Sequence, residues 1–290
     1  MSAATRAGGS GIDRPRRRKS PTGVAVSILL WGYVLVVLAP MALIVINSMR
    51  PSRQIFREPI ALPDSINFDS FVRAWGEANF SQYFFNSLVI VVASVTLATA
   101  VSALAAYALG RYRFRGSGLL AVYFLSGLLL PFRLAIMPLF LLLQDLGLVD
   151  TRLGLILVYA ATGVPFSVFI LSAYFRQLPV DLSEAAKMDG AGEFTIFGRI
   201  MLPLVRPALA TVAVFQFVPL WNDFFFPLVL LRSSDKWTLP VGMTRFFGEF
   251  QTDWSTLFAG IVITTLPLII VFLLATRQII AGLTAGIGKL

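Results

Sequence analysis

FFNSLVIVVASVTLATAVSALAAYAL, residues 84–109, runs for 26 residues without one charged side chain. A helix of roughly 20 apolar residues crosses a hydrocarbon core of about 30 Å, so this stretch is long enough to span one. It is too long and too unbroken for the strand of a barrel, and it lacks the in/out alternation of a barrel wall. The same test carried outward along the 290-residue chain finds six such runs, near 24–46, 84–109, 118–143, 152–175, 204–231 and 257–280. Hydrophobic residues make up 57% of the chain and charged residues 13%, more apolar surface than a soluble fold of this length buries. The expectation is an all-α membrane protein with six transmembrane helices.

The chain contains no cysteine and no histidine. Disulfides and thiol chemistry are therefore outside its repertoire, as are the commonest metal ligand and the usual base near neutral pH. Residues 1–23 are small, polar and basic, with RPRRRK at 14–19, and precede an apolar run longer than the core of a cleaved signal peptide. They read as a disordered basic tail before an uncleaved first span, leaving 24–290 as the membrane domain. Placing the N-terminus in the cytoplasm puts 15 Lys and Arg residues on inner segments and eight on outer ones, with Arg133 inside a span. By the positive-inside rule both termini are cytoplasmic. The net charge of +9 then reports topology and contact with anionic membrane lipid. No basic patch interleaved with aromatics points to nucleic acid.

One inner connection, residues 176–203, is long and charged, and ends in LPVDLSEAAKMDGAGEFTIFGRIMLP. Asp181 stands three residues before Glu184, as in an acidic capping box. The helix-forming SEAAKM follows, and Asp189-Gly190 with Ala191-Gly192 offers a left-handed stop. Helical spacing then resumes until Pro203, which reads as the opening of the fifth span. Ala185 and Ala186 give the short helix a bare flank on which a partner backbone could lie. An ordinary interfacial helix is the plainer reading of these features alone.

The full spacing decides between them. Glu184-Ala185-Ala186, Gly190, Ile200 and Leu202-Pro203 resemble, at every fixed position, the EAA loop of ABC importer permeases. Asn86-Ser87, Gly147-Leu148 with Asp150-Thr151, Trp221-Asn222-Asp223 with Pro227-Leu228, and Gly282-Leu283-Thr284-Ala285-Gly286 are similar to the carbohydrate-importing branch, within it to the smaller, six-span subunit of maltose-type permeases. The resemblance implies the type I importer fold and a coupling helix, including Asp189, that docks on an ATPase. It also implies a second, different permease subunit, two ATP-binding subunits that use ATP and Mg, and an extracytoplasmic solute-binding protein. A C-terminal contact through Gly282, Leu283, Thr284 and Gly286 is implied too, although Gly286-Ile287-Gly288-Lys289-Leu290 departs from the family's usual ending.

This chain has no phosphate loop of its own: Gly288-Lys289 lacks the earlier glycine, at Leu283, and a following Ser or Thr. It reads as a transport subunit rather than an enzyme. For the substrate pathway the candidates are Arg133, between Pro131 and Pro138 in the third span, and Trp221, Asn222 and Asp223 after Pro219. Polar groups at membrane depth are costly and often functional, whereas an Arg133–Asp223 ion pair or helix packing is the structural alternative. A polyol, glycerol phosphate or amino-acid importer would share the EAA loop. An ion-coupled carrier would need carboxylate relays, for which Asp223 alone qualifies.

Overall fold

The computed structural model describes residues 21–287 other than 64–65, 77–78 and 247–252, with side chains described from 25 to 276. Among the described residues every regular element is helical. They fall into two units that divide between Ile44 and Val45. The first holds all but the last turn of the apolar helix α1, Pro21–Asn47, which begins inside the stretch read as a tail. Its side chains from Val26 to Leu38 are exposed all round, the pattern of a helix whose solvent is lipid or another apolar surface.

The second unit contains the rest: α2 (Ser52–Arg57), α3 (Asp69–Trp75), α4 (Phe80–Arg111), α5 (Ser117–Leu129) and α6 (Ile136–Asp145). Then come α7 (Arg152–Gln177), α8 (Asp181–Met188), α9 (Glu193–Leu204) and α10 (Arg206–Trp221). Short α11 (Phe225–Leu230) and α12 (Leu239–Gly242) lead to the long α13 (Trp254–Ile287). Four helices are long and apolar enough to cross a membrane: the one from Ala25 to Asn47, α4, α7, and Trp254–Thr276 of α13. Two bent pairs pass the same test together, and counting each as one span gives six.

The α4–α7 pair is the centre of the bundle, and α4 shows why. Ser94, Ala98, Ser102 and Ala106 recur every four residues and are all buried, and Gly110 continues the stripe. Small side chains let two backbones approach closely: a Cβ on Gly110 would lie 2.8 Å from that of Phe175, and the Ser102 hydroxyl donates to the Val164 carbonyl at 3.4 Å. Contacts advance along both helices together, so α4 and α7 run parallel. The chain between them must therefore return across the bundle, which makes the α5–α6 pair one broken span. It bends by 84° where Leu130 adopts extended backbone ahead of Pro131. Pro138, in the first turn of α6, breaks nothing because the first helical N–H groups have no partner to lose.

The fifth span departs from expectation at both ends. Pro203 lies within α9, and the 73° break comes between α9 and α10, at Val205. Pro207 has no N–H to give the carbonyl four residues earlier and clashes with it, so the helix restarts at Arg206. At the other end α10 stops at Trp221 rather than near 231.

The turn before α7 joins that far end. Gly147 and Asp150 both have positive φ, +67° and +58°, and Thr151 caps α7 by accepting from the Gly154 amide at 3.0 Å. The Asp150 carboxylate accepts from the Arg232 and Ser233 amides, each at 2.9 Å, from the Ser233 hydroxyl, and from Lys236 Nζ at 3.0 Å. Burial alone would push this carboxyl up, but the Ser233, Lys236 and Arg232 hydrogen bonds overcome it and hold it well below the usual carboxylate range. Asp253 does the same at the start of α13. Against burial, Thr256, Ser255 and Ser52 bring its carboxyl down to about 2, with Arg73 Nε 3.4 Å away.

Gly154 sits where no side chain fits: a Cβ would fall 2.3 Å from the Leu148 carbonyl oxygen. Because the obstacle is backbone, Gly154→Ala should destabilise the subunit by about 2 kcal/mol. A lowered melting temperature in detergent checks this; an unchanged one would mean the turn rearranges freely.

Candidate coupling surface and pathway site

At the Arg111 end of α4, the segment 178–205 folds back on the bundle as an elbow. Leu178 ends α7 in extended backbone, and α8 begins after Val180 with no side-chain cap. The capping box expected from Asp181 and Glu184 is therefore not formed. Asp181 is already inside the first turn, where both acids can only favour the positive end of the helix. The start is held instead by Arg111, which donates to the Leu178 carbonyl at 2.7 Å, the Pro179 carbonyl at 3.1 Å and the Ser183 hydroxyl at 2.8 Å. One guanidinium at the end of α4 thus fixes both the exit of α7 and the entry of α8.

Gly190 makes the turn between α8 and α9 with φ +79°, a conformation that costs most L residues about 1–2 kcal/mol. Across that turn Lys187 and Glu193 pair at 2.6 Å. Glu193 also accepts from the Tyr112 hydroxyl and, at 3.4 Å, from the Tyr107 hydroxyl. The Lys187 hydrogen bond first, then that of Tyr112, holds the Glu193 carboxyl below its usual range. The phenol of Tyr112 is pushed up, by burial and then by Glu193.

The motif residues divide by face. Ala186 is buried beside Ile196, Tyr107 and Phe175, with Ile200 and Leu202 packed around the same cluster. The expected two-alanine flank is thereby halved, because Ala186 faces the subunit's own core. Glu184, Ala185, Asp189 and Gly190 are exposed. So are Met188 and Phe194, at 89% and 88%, on either side of the turn. Two fully exposed large apolar side chains on a rigid, polar-framed elbow form a surface suited to a protein partner. Sequence reading passed over both, together with Arg111, Tyr107, Tyr112 and Glu193. The available signal was the Tyr107–Arg111–Tyr112 cluster where an apolar span ends.

The pathway candidates lie at the helix breaks. Arg133 Nη2 is 3.6 Å from Asp223 Oδ1, with the guanidinium largely exposed and the carboxylate buried. Asp223 also accepts from the Tyr159 hydroxyl at 2.8 Å and the Phe226 amide at 3.2 Å. These groups line an open cavity of about 350 Å³ with Pro131, Thr162 and Pro219. Trp221 is turned away from it: 1% exposed, stacked on Phe217, its indole N–H donating to the Thr264 carbonyl at 3.0 Å. The aromatic face expected for a sugar is therefore a packing surface. Asn222 is exposed and donates back to the Val218 carbonyl. The positions Gly282, Leu283, Thr284 and Gly286 fall on the last turns of α13, and their side chains lie outside the described residues, as does 288–290.

A family profile described as "Binding-protein-dependent transport system inner membrane component" matches residues 98–284. The chain is 40% identical to the diacetylchitobiose uptake system permease protein NgcG of Streptomyces coelicolor, over 89% of this chain and 86% of that one. To the arabinooligosaccharides transport system permease protein AraQ of Halalkalibacterium halodurans it is 38% identical, over 85% and 89%. A crystal structure of a bacterial ABC transporter involved in the import of the acidic polysaccharide alginate contains a chain of similar fold. It superposes with a TM-score of 0.81 and 26% identity, covering 91% of this chain and 98% of that one.

Proposed function

This chain belongs to the family of binding-protein-dependent transport system inner membrane components, and we propose that it forms half of an oligosaccharide path and takes its motion from an ATPase through α8. Family membership makes it a multi-pass membrane permease subunit of an ABC transporter. The proposal adds the cargo, the coupling element and the partners: a second permease subunit, two ATP-binding subunits and a solute-binding protein.

The observation that carries it is the elbow. Glu184, Ala185, Asp189 and Gly190 stand outward with Met188 and Phe194, while Ala186, Ile200 and Leu202 root the same element in the α4–α7–α10 core. A surface that is outward yet braced by Arg111 and Glu193 can pass a displacement into the spans rather than absorb it. Motion delivered there would bias a bundle with two arrangements, one open to each side. The breaks at Pro131 and Val205 divide the spans into pieces that can move in this way.

The oligosaccharide reading rests on the relatives' cargoes and on the Arg133–Asp223 pair set in a largely apolar cavity. If Arg133 touches substrate, Arg133→Lys should change the order of preference among oligosaccharides in an uptake assay, because lysine replaces a fork of donors with a point charge. Uniform loss of folded protein would instead assign Arg133 to the ion pair alone. The function as a whole is tested in vesicles holding the assembled transporter and its binding protein. Uptake should require ATP inside and persist with a proton ionophore present; uptake driven by an ion gradient without ATP would replace this reading with a secondary carrier. Ligand binding by the cognate solute-binding protein identifies the cargo.

A further inference from the structure

We propose that this subunit holds an anionic phospholipid, its phosphate in a basic cleft between the α4–α5 turn and α8, and one acyl chain in an apolar groove between α5 and α7. The cleft has a volume of about 720 Å³, and its basic side chains are Arg111, Arg113, Arg176 and Lys187. Among the described residues Glu184 is the one carboxylate on its wall. Arg111 is engaged with neutral oxygens, and Lys187 is paired with Glu193. Arg113 and Arg176 have no carboxylate partner among the described residues. Two uncompensated arginines facing one cleft favour an anion with several acceptor oxygens.

A second cavity, about 160 Å³, adjoins the cleft and shares Leu109 and Arg176 with it. Its other walls include Ala121, Phe124, Leu125, Val168 and Phe169. Inorganic phosphate would use the first cavity and leave the second without a role, whereas a phospholipid uses both. The position agrees, because the 112–116 turn joins the apolar ends of α4 and α5 and so lies at the headgroup level. Basic pockets between spans on this side of a membrane are suited to acidic headgroups, at roughly a factor of five in affinity per basic residue. Val180, Ser183, Glu184 and Lys187 line the cleft from one flank of α8, and Met188 projects elsewhere. The lipid would therefore brace the elbow without covering its tip.

Native mass spectrometry of the assembled transporter, titrated with phosphatidylglycerol or phosphatidylcholine, tests the proposal. The expected result is saturable retention of phosphatidylglycerol and not of phosphatidylcholine. Arg113→Gln with Arg176→Gln should weaken that retention roughly thirtyfold, and Ala173→Phe, which fills the groove, should weaken it with every arginine in place. Should the glutamine pair fail to assemble, Arg113→Lys with Arg176→Lys keeps the charge and should keep the preference for phosphatidylglycerol. Equal retention of the two lipids, or retention indifferent to the groove variant, overturns the proposal. Displacement by millimolar inorganic phosphate would assign the cleft to a soluble anion. Retention only after the ATP-binding subunits are stripped away would assign it to their interface. Either result also overturns the lipid site.

Discussion

Gly190→Asp abolishes solute uptake while the subunit remains in the membrane at normal abundance. Two properties of the position lead to this expectation. A Cβ there meets nothing within 4 Å, so the change disturbs no packing inside the subunit. The φ of +79° is one that aspartate tolerates better than most residues, so the elbow still forms. What changes is the docking tip, where a carboxylate now stands between Met188 and Phe194. Burying that charge against a partner without a counter-charge costs about 2–5 kcal/mol, a loss of roughly thirtyfold or more in productive docking. Uptake is measured beside the amount of inserted protein; unchanged uptake would remove Gly190 from the coupling surface, and loss of the protein itself would point to misfolding.

Asp150→Ala acts at the opposite end of α7 and on stability. It removes the acceptor for two amides, one hydroxyl and one ammonium, and asks alanine to hold a φ of +58°. Leaving several partly buried donors unpaired costs about 2–4 kcal/mol. Asp150→Asn keeps one acceptor oxygen and tolerates the same backbone, so its effect should be smaller. The pH dependence has a definite sign. The folded carboxyl sits below its usual range, so its contribution is complete above the unfolded value of about 3.9 and is lost as pH falls through the folded value. The gap in melting temperature between wild type and Asp150→Ala should be widest at neutral pH and narrow in acid. A gap that widened in acid would contradict this account of the knot.

Much of the architecture was legible because its physical cause is local. Apolar length marked the spans, and the glycine-rich turn marked the left-handed stop at Gly190. The Pro207 break escaped because an apolar run reads as continuous even where one missing N–H divides it. The cap at Asp181 was misread because the α8 entrance is decided by Arg111, 70 residues earlier in sequence. Spacing within the loop carries no trace of that contact. The same applies to Glu193, whose partners Tyr107 and Tyr112 lie on α4 and just past its end. Charge pairing at membrane depth pointed to Arg133 and Asp223, but Tyr159 was invisible as their neighbour because tyrosine in an apolar helix reads first as packing. Trp221 shows the converse, an aromatic beside polar residues whose face the fold turns inward.

If the α8–α9 elbow is where this subunit meets its ATPase, a partner should be reachable from the elbow's tip, and the chain's lack of cysteine permits a direct measurement. Met188→Cys or Phe194→Cys gives the subunit a single thiol at the tip, and Ile60→Cys a single exposed thiol far along the chain in the connection between α2 and α3. In the assembled, transport-competent complex, a short thiol cross-linker should join the first two to an ATP-binding subunit and leave the third unjoined. Import by a complex in which neither Met188→Cys nor Phe194→Cys can be joined to that subunit would contradict the account.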